Sequence, residues 1–213
     1  MCREASFVIT ENRVYWSRKS DSHEDIIQEF GLNHLDCDPP GFVRVELTPP
    51  GNDFRLPVSD WVFRVDQDIV PDWWNAAWAE NQIRETAIDW LGCKVLLPGQ
   101  VIKELKDKIF AVYGTVQEVY GGTVQKVYGG GTVQKVWDGG TVQKVWDGGT
   151  VQKVYGGGTV QGVWDGGTVQ EVYGGTVIAY THLDPIILKS PNAVLIDRSG
   201  NVVRCYTGIQ NES

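Results

Sequence analysis

Residues 115–177 read TVQEVYGG TVQKVYGGG TVQKVWDGG TVQKVWDGG TVQKVYGGG TVQGVWDGG TVQEVYGG TV. The dipeptide Thr-Val begins at Thr115, Thr123, Thr132, Thr141, Thr150, Thr159, Thr168 and Thr176, so successive starts lie 8 or 9 residues apart. Self-similarity of this kind decides the fold before any local pattern does. Helical repeats need roughly 30 residues or more, and a short unit of Val, Thr and aromatic residues closed by Gly-Gly opposes helix and favours strand. Each unit is therefore read as one short strand and one tight turn.

Two architectures use such a unit. In an antiparallel meander every D-G-G or G-G-G is a hairpin turn; in a parallel solenoid the chain winds in one sense. Near-identical units favour winding, because like residues then stack on like residues, Val into a core and Gln into amide ladders. With two units per coil of about 18 residues, eight units give about four coils, each rising about 4.8 Å. The amide of Gln134 is then expected beside that of Gln152 rather than that of Gln143.

Strict alternation in Thr123-Val124-Gln125-Lys126-Val127-Tyr128 would bury a Lys or a Gln. A bend near Gln-Lys instead turns both Val side chains inward and leaves Lys126, Lys135, Lys144 and Lys153 in solvent. The aromatic after the second Val then points outward, in two ladders: Tyr120, Trp137, Tyr155 and Tyr173, and Tyr128, Trp146 and Trp164. Two readings of these rings stand. They are core, or lie under the flanking domains; or they form an exposed row, the mark of self-association or of a protein partner. Asp138, Asp147 and Asp165 precede Gly-Gly rather than following a Gly-rich half-turn, so a calcium repeat is not expected, and Thr-Val in place of Thr-x-Thr argues against an ice-binding face.

Outward from the repeats the composition turns ordinary. Net charge is −8: residues 1–110 hold 12 basic against 19 acidic residues, 111–180 hold 4 against 5, and 181–213 hold 3 of each. Nucleic-acid binding is not expected, since counterion release needs a basic face. No run approaches the roughly 18 apolar residues of a membrane span, and MCREASFVIT lacks the order of a signal peptide. Cys2, Cys37, Cys93 and Cys205 form no CxxC, so reduced thiols and no metal or other cofactor are expected.

Residues 1–112 read as an α+β domain. Phe7–Ile9 and Val14–Trp16 flank Glu11-Asn12 as a hairpin. Asp21 or Ser22 caps a helix with Ile26, Ile27 and Phe30 on its apolar face, ended by Gly31. Phe42–Leu47 and Trp61–Val65 alternate as strands, and a second helix runs from about Asp72 to Leu91, with Ala76, Ala79, Ile83, Ala87 and Trp90 at helical spacing and Gly92 as its stop. The expected architecture is thus mainly β: this domain, a parallel β-solenoid over 113–180, and a C-terminal cap over 181–213 whose hairpin turns at Asp197–Gly200.

The segments MCREASFVITENRVYWS, SDSHEDIIQEFGL, VRVELTPP, WVFRVDQDIVPDWW and AVLIDRSGNVVRCYTG make the chain resemble a family of uncharacterised proteins frequently encoded by bacteriophages, in which such an N-terminal domain precedes a variable number of Val-rich nine-residue repeats. The resemblance implies a phage or prophage origin and carries over no activity or catalytic residue.

Enzymatic chemistry has two weak candidates. Removal of Met1 would leave Cys2 with thiol and α-amine together, as in N-terminal nucleophiles, although Arg3 rather than Gly follows it. His23 beside Glu24 and Asp25 is either an acid/base group or a solvated helix start. His34, Cys37 and Asp38 have loose metal-like spacing but no second cluster. The expectation is a non-catalytic binding or structural protein of the host cytoplasm or a virion, acting as a homo-oligomer or on a protein partner, with small-molecule, nucleic-acid and membrane partners disfavoured. The alternative is an enzyme using Cys2 or His23.

Overall fold

A computed structural model describes residues 5–182 and 187–208. The chain divides into two compact units, residues 1–93 and 94–213.

In the first unit β1 (Ser6–Thr10) and β2 (Arg13–Tyr15) form the expected hairpin. Ser22 caps α1 (His23–Glu29) by accepting the Asp25 N–H, and Gly31 follows in the left-handed region. Ile26 and Ile27 are buried, but Phe30 is exposed on its outer side and rests on Tyr15 with ring centroids 5.2 Å apart. Next come β3 (Val43–Thr48) and β4 (Val62–Val65), which complete an antiparallel sheet of order β2-β1-β3-β4.

The second helix, α2 (Ala76–Lys94), starts later than expected because the Asn75 side chain caps it, accepting the Trp78 N–H at 3.0 Å. It also runs through Gly92 instead of stopping there. Ala79, Ile83, Ala87 and Trp90 are buried as their spacing predicts, whereas Ala76 is exposed in the first turn. Trp90 packs with Phe54 and Trp61 at centroid distances of 5.8 and 6.2 Å.

The second unit is the parallel solenoid. It begins at β5 (Val95–Leu96), β6 (Val101–Leu105) and β7 (Lys108–Val112), ahead of the boundary at 112 that the Thr-Val repeats alone suggest. The repeat strands follow: β8 (Thr115–Tyr120), β9 (Thr123–Val127), β10 (Thr132–Trp137), β11 (Thr141–Val145), β12 (Thr150–Val154), β13 (Thr159–Val163), β14 (Thr168–Val172) and β15 (Gly175–Ala179). The chain closes with β16 (Ile187–Leu188), β17 (Ala193–Asp197) and β18 (Arg204–Thr207). Even-numbered strands from β6 to β16 make one sheet, odd-numbered strands from β5 to β17 the other, and β18 adds antiparallel to β17.

Adjacent units therefore alternate between sheets, and the register is strict. Thr132 and Val133 lie beside Thr150 and Val151, which places Gln134 level with Gln152. About six coils result rather than four, roughly 29 Å of stacked strand at 4.8 Å per step. The additional coils need only the inward apolar pair: Ile102 and Leu105 align with Val116 and Val119, and Ile109 and Val112 align with Val124 and Val127.

Both Val side chains of every complete unit are buried, from Val116 and Val119 to Val169 and Val172, in one continuous core. The corners need glycine for two separate reasons. At Trp137–Gly140 the Gly140 N–H bonds the Trp137 carbonyl at 2.9 Å, and both middle residues are left-handed, Asp138 at φ 50 and Gly139 at φ 88. Asp and Gly are among the residues that tolerate that conformation. Gly140 is needed for a close approach instead: a Cβ there would run into the carbonyl oxygen of Val119 on the adjacent coil.

Candidate functional site

Each coil has two corners, and from Tyr113 to Tyr180 an aromatic residue opens every one. The backbone ladder carries on past the strands, with Trp146 donating to Val127 O at 3.1 Å and Trp164 to Val145 O at 2.9 Å. The rings are therefore stacked in the two rows expected from the sequence. Along the even-numbered sheet run Tyr120, Trp137, Tyr155 and Tyr173; Tyr120 and Trp137 meet edge to face at 5.4 Å, and Tyr155 stacks on Tyr173 at 5.1 Å. Along the other sheet run Tyr128, Trp146 and Trp164, with Tyr128 against Trp146 at 5.9 Å.

The second row is longer than the repeats show. Tyr113 precedes it, 4.5 Å from Tyr128, and Tyr180 extends it, stacked on Trp164 at 4.8 Å and 5°. Each row ends in a cation: the Lys189 N–H bonds Val172 O, and the Arg198 N–H bonds Ala179 O, with the Arg198 guanidinium 6.0 Å from the Tyr180 ring. Tyr113 was legible in Ile109-x-x-Val112-Tyr113, which keeps the V-x-x-V-Y spacing without its Thr. Tyr180 escaped because its unit is one residue shorter and the register slips there.

The two readings of the rings divide between positions. Tyr120, Trp137 and Trp146 are exposed at 39, 36 and 39 %, Tyr155, Trp164 and Tyr173 are half-buried, and Tyr128 is buried at 8 %. Trp164 covers Gly162, where a Cβ would strike the indole. Tyr120 gives its hydroxyl hydrogen bond to Asp138, which raises its pKa, and Tyr173 donates to Glu171 at 3.1 Å with the same effect.

The fourth residue of the unit varies, and its position on the ladder explains how. On the even-numbered sheet Glu118, Lys135, Lys153 and Glu171 are successive neighbours. The two lysines stand side by side, each relieved by an outer glutamate, Lys135 to Glu118 at 2.9 Å and Lys153 to Glu171 at 3.7 Å. On the other sheet Lys126 and Lys144 are neighbours between Ala111 and Gly162. Rings take the place of the acids there, Phe110 at 4.4 Å from Lys126 and Trp164 at 5.9 Å from Lys144. Lys135 and Lys144 are exposed as expected, whereas Lys126 and Lys153 are half-buried against these neighbours.

The remaining candidates lie apart from this surface. Cys2 lies outside the described residues. His23 is not a solvated helix start: its ring is 1 % exposed, with Nε2 3.1 Å from the Val45 carbonyl oxygen and Nδ1 3.4 Å from Asp66. Burial comes from α1 packing on the sheet, a tertiary contact that its acidic sequence neighbours conceal. His34 turns to its own loop, Nδ1 3.0 Å from Gly31 O, and the Cys37 thiol lies 3.3 Å from Pro39 O. Cys37, Asp38 and Arg44 line a shallow groove of about 280 Å³ without His34. Among the described residues no group of three His, Cys, Asp or Glu side chains converges.

Comparison with family models, with curated proteins and with solved structures found no match.

Proposed function

We propose that this is a non-catalytic binding or structural protein of phage or prophage type, working in the host cytoplasm or in a virion, which self-associates or binds a protein partner through the solenoid. The reading is supported by one observation above the others: at the corners, Tyr120, Trp137 and Trp146 present large rings to solvent on a rigid scaffold. Rings of this kind are enriched at the centres of protein interfaces, and the backbone ladder holds them in place at little entropic cost to a partner. The origin rests on the resemblance of the segments flanking the repeats to phage-encoded proteins.

The test is a triple variant, Tyr120→Ser, Trp137→Ser and Trp146→Ser, compared with the wild-type chain by sedimentation velocity over a concentration series and by capture from an infected host. Trp164 is left in place because it covers Gly162. The variant is expected to keep its β circular dichroism, since the Val core is untouched, and to lose association through the corners, read as capture of a host protein and as assembly beyond any dimer. A wild-type chain that neither self-associates nor captures a protein overturns the reading, and a triple variant that captures and assembles like wild type overturns the corners as its surface.

A further inference from the structure

Among the described residues the odd-numbered sheet finishes at its C-terminal end in the outer edge of β18. Among the described residues β18 has one neighbour, β17. The Gly208 N–H turns inward to Ala193 O at 3.1 Å. By the two-residue alternation of a strand, Tyr206 and Arg204 also face β17, and Cys205 and Thr207 turn N–H and C=O outward.

Edges of this kind are ordinarily blunted by Lys, Pro, a bulge or a covering element. Here all four residues of β18 are exposed, none is Lys or Pro, and Arg204 stands opposite Asp197. Exposed apolar side chains gather on the last elements of the same end: Val202 at 66 %, Val203 at 62 %, Ile187 on β16, and Tyr206.

We propose that β18 is the docking edge for β18 of a second copy of this chain, the two strands antiparallel about a twofold axis, so that two solenoids join tail to tail in one continuous sheet. The proposal rests on the self-association reading above and places it on a surface distinct from the aromatic rows. That reading supplies the second copy as occupant, and symmetry fixes its direction, since an edge strand meets its own copy antiparallel under a twofold, every contact being made twice. Centred on Tyr206, the pairing sets Cys205 opposite Thr207 of the second copy and Thr207 opposite its Cys205. The outward N–H and C=O of both residues are then satisfied, and the two Tyr206 rings form a cross-strand pair.

Sedimentation velocity of the full chain over a concentration series tests it with three variants. Thr207→Pro removes an outward N–H without touching a bond to β17. Tyr206→Arg sets like charges face to face across the axis and keeps the test sharp if the proline variant misfolds. The triple aromatic variant controls for the corners. Wild type is expected to dimerise, the triple variant to keep that dimer, and either β18 variant to raise its dissociation constant at least tenfold at unchanged circular dichroism. A dimer that survives folded β18 variants and is lost in the triple variant overturns the edge and leaves the self-association reading standing. A wild-type chain that stays monomeric overturns the edge and self-association together.

Discussion

Val142 offers the sharpest test of the inward and outward assignment. It has no exposure and is flanked in register by Val124 and Val160 on the coils either side. Val142→Ala deletes two methyl groups; at about 0.8 kcal/mol per buried carbon, plus a cavity that rigid neighbouring coils do not close, the loss is about 2 kcal/mol. Val142→Asp instead buries a carboxylate among valines, at a cost of several kcal/mol. Domain stabilities lie at about 5–15 kcal/mol, and in a stacked array each coil leans on its neighbours, so this change is expected to unfold the repeat region. Lys144→Ala, two residues along, removes an exposed cation 5.9 Å from Trp164 and also ends its like-charge juxtaposition with Lys126. These opposed effects keep it within about 0.5 kcal/mol. Urea denaturation followed by far-ultraviolet circular dichroism measures all three. Equal losses for Val142→Ala and Lys144→Ala, or a folded Val142→Asp, would refute the reasoning.

Three further outcomes are expected. Deleting Thr132–Gly149, two whole units, is expected to leave a folded, shorter solenoid in which Glu118 meets Lys153; deleting Thr132–Gly140 sends every later strand to the opposite sheet, and loss of cooperative melting in that variant alone checks the two-unit coil. Gly139→Ala is expected to cost about 1 kcal/mol for its left-handed backbone, and Gly140→Ala more, because its Cβ forces adjacent coils apart although its own φ is ordinary; melting temperatures in the reverse order would sink that distinction. The carboxyls of Glu24, Asp53 and Asp197 are held below their usual range, respectively by helix N-terminal backbone with the Ser22 hydroxyl, by Arg55, and by Ser199. The unfolded chain therefore takes up protons first, and this stability, present above about pH 4, is lost as pH falls through the folded values. Tyr120, Tyr173 and Lys135 are raised by Asp138, Glu171 and Glu118, so their contribution is complete below about pH 10 and lost above it; urea midpoints that do not fall on both flanks would contradict these partners.

The winding, the two-unit coil and the paired valines were legible in residues 115–177 because each is a periodic property, and a periodic chain repeats its local energetics at every rung. Ser22 as helix cap and a hairpin near Asp197–Gly200 were legible for a similar reason, since both act over a few neighbouring residues, although Asp197 is still paired in β17 and the loop runs on to Val203. The extra coils were not, because β6 and β7 keep only the inward apolar pair, β5 and β16 one inward leucine each, Leu96 and Leu188, and β17 Ala193 and Leu195, and none of these produces a sequence repeat. Only tertiary structure could decide which rings are exposed. Tyr128 and Trp146 occupy the same place in the unit, yet Tyr128 is buried and rests on Tyr113, fifteen residues earlier in the chain and one rung away in space. The same holds for His23, whose burial depends on Val45 and Asp66. Sequence fixes what each residue offers its immediate neighbours; exposure and ring contact depend on residues that only the folded chain brings alongside.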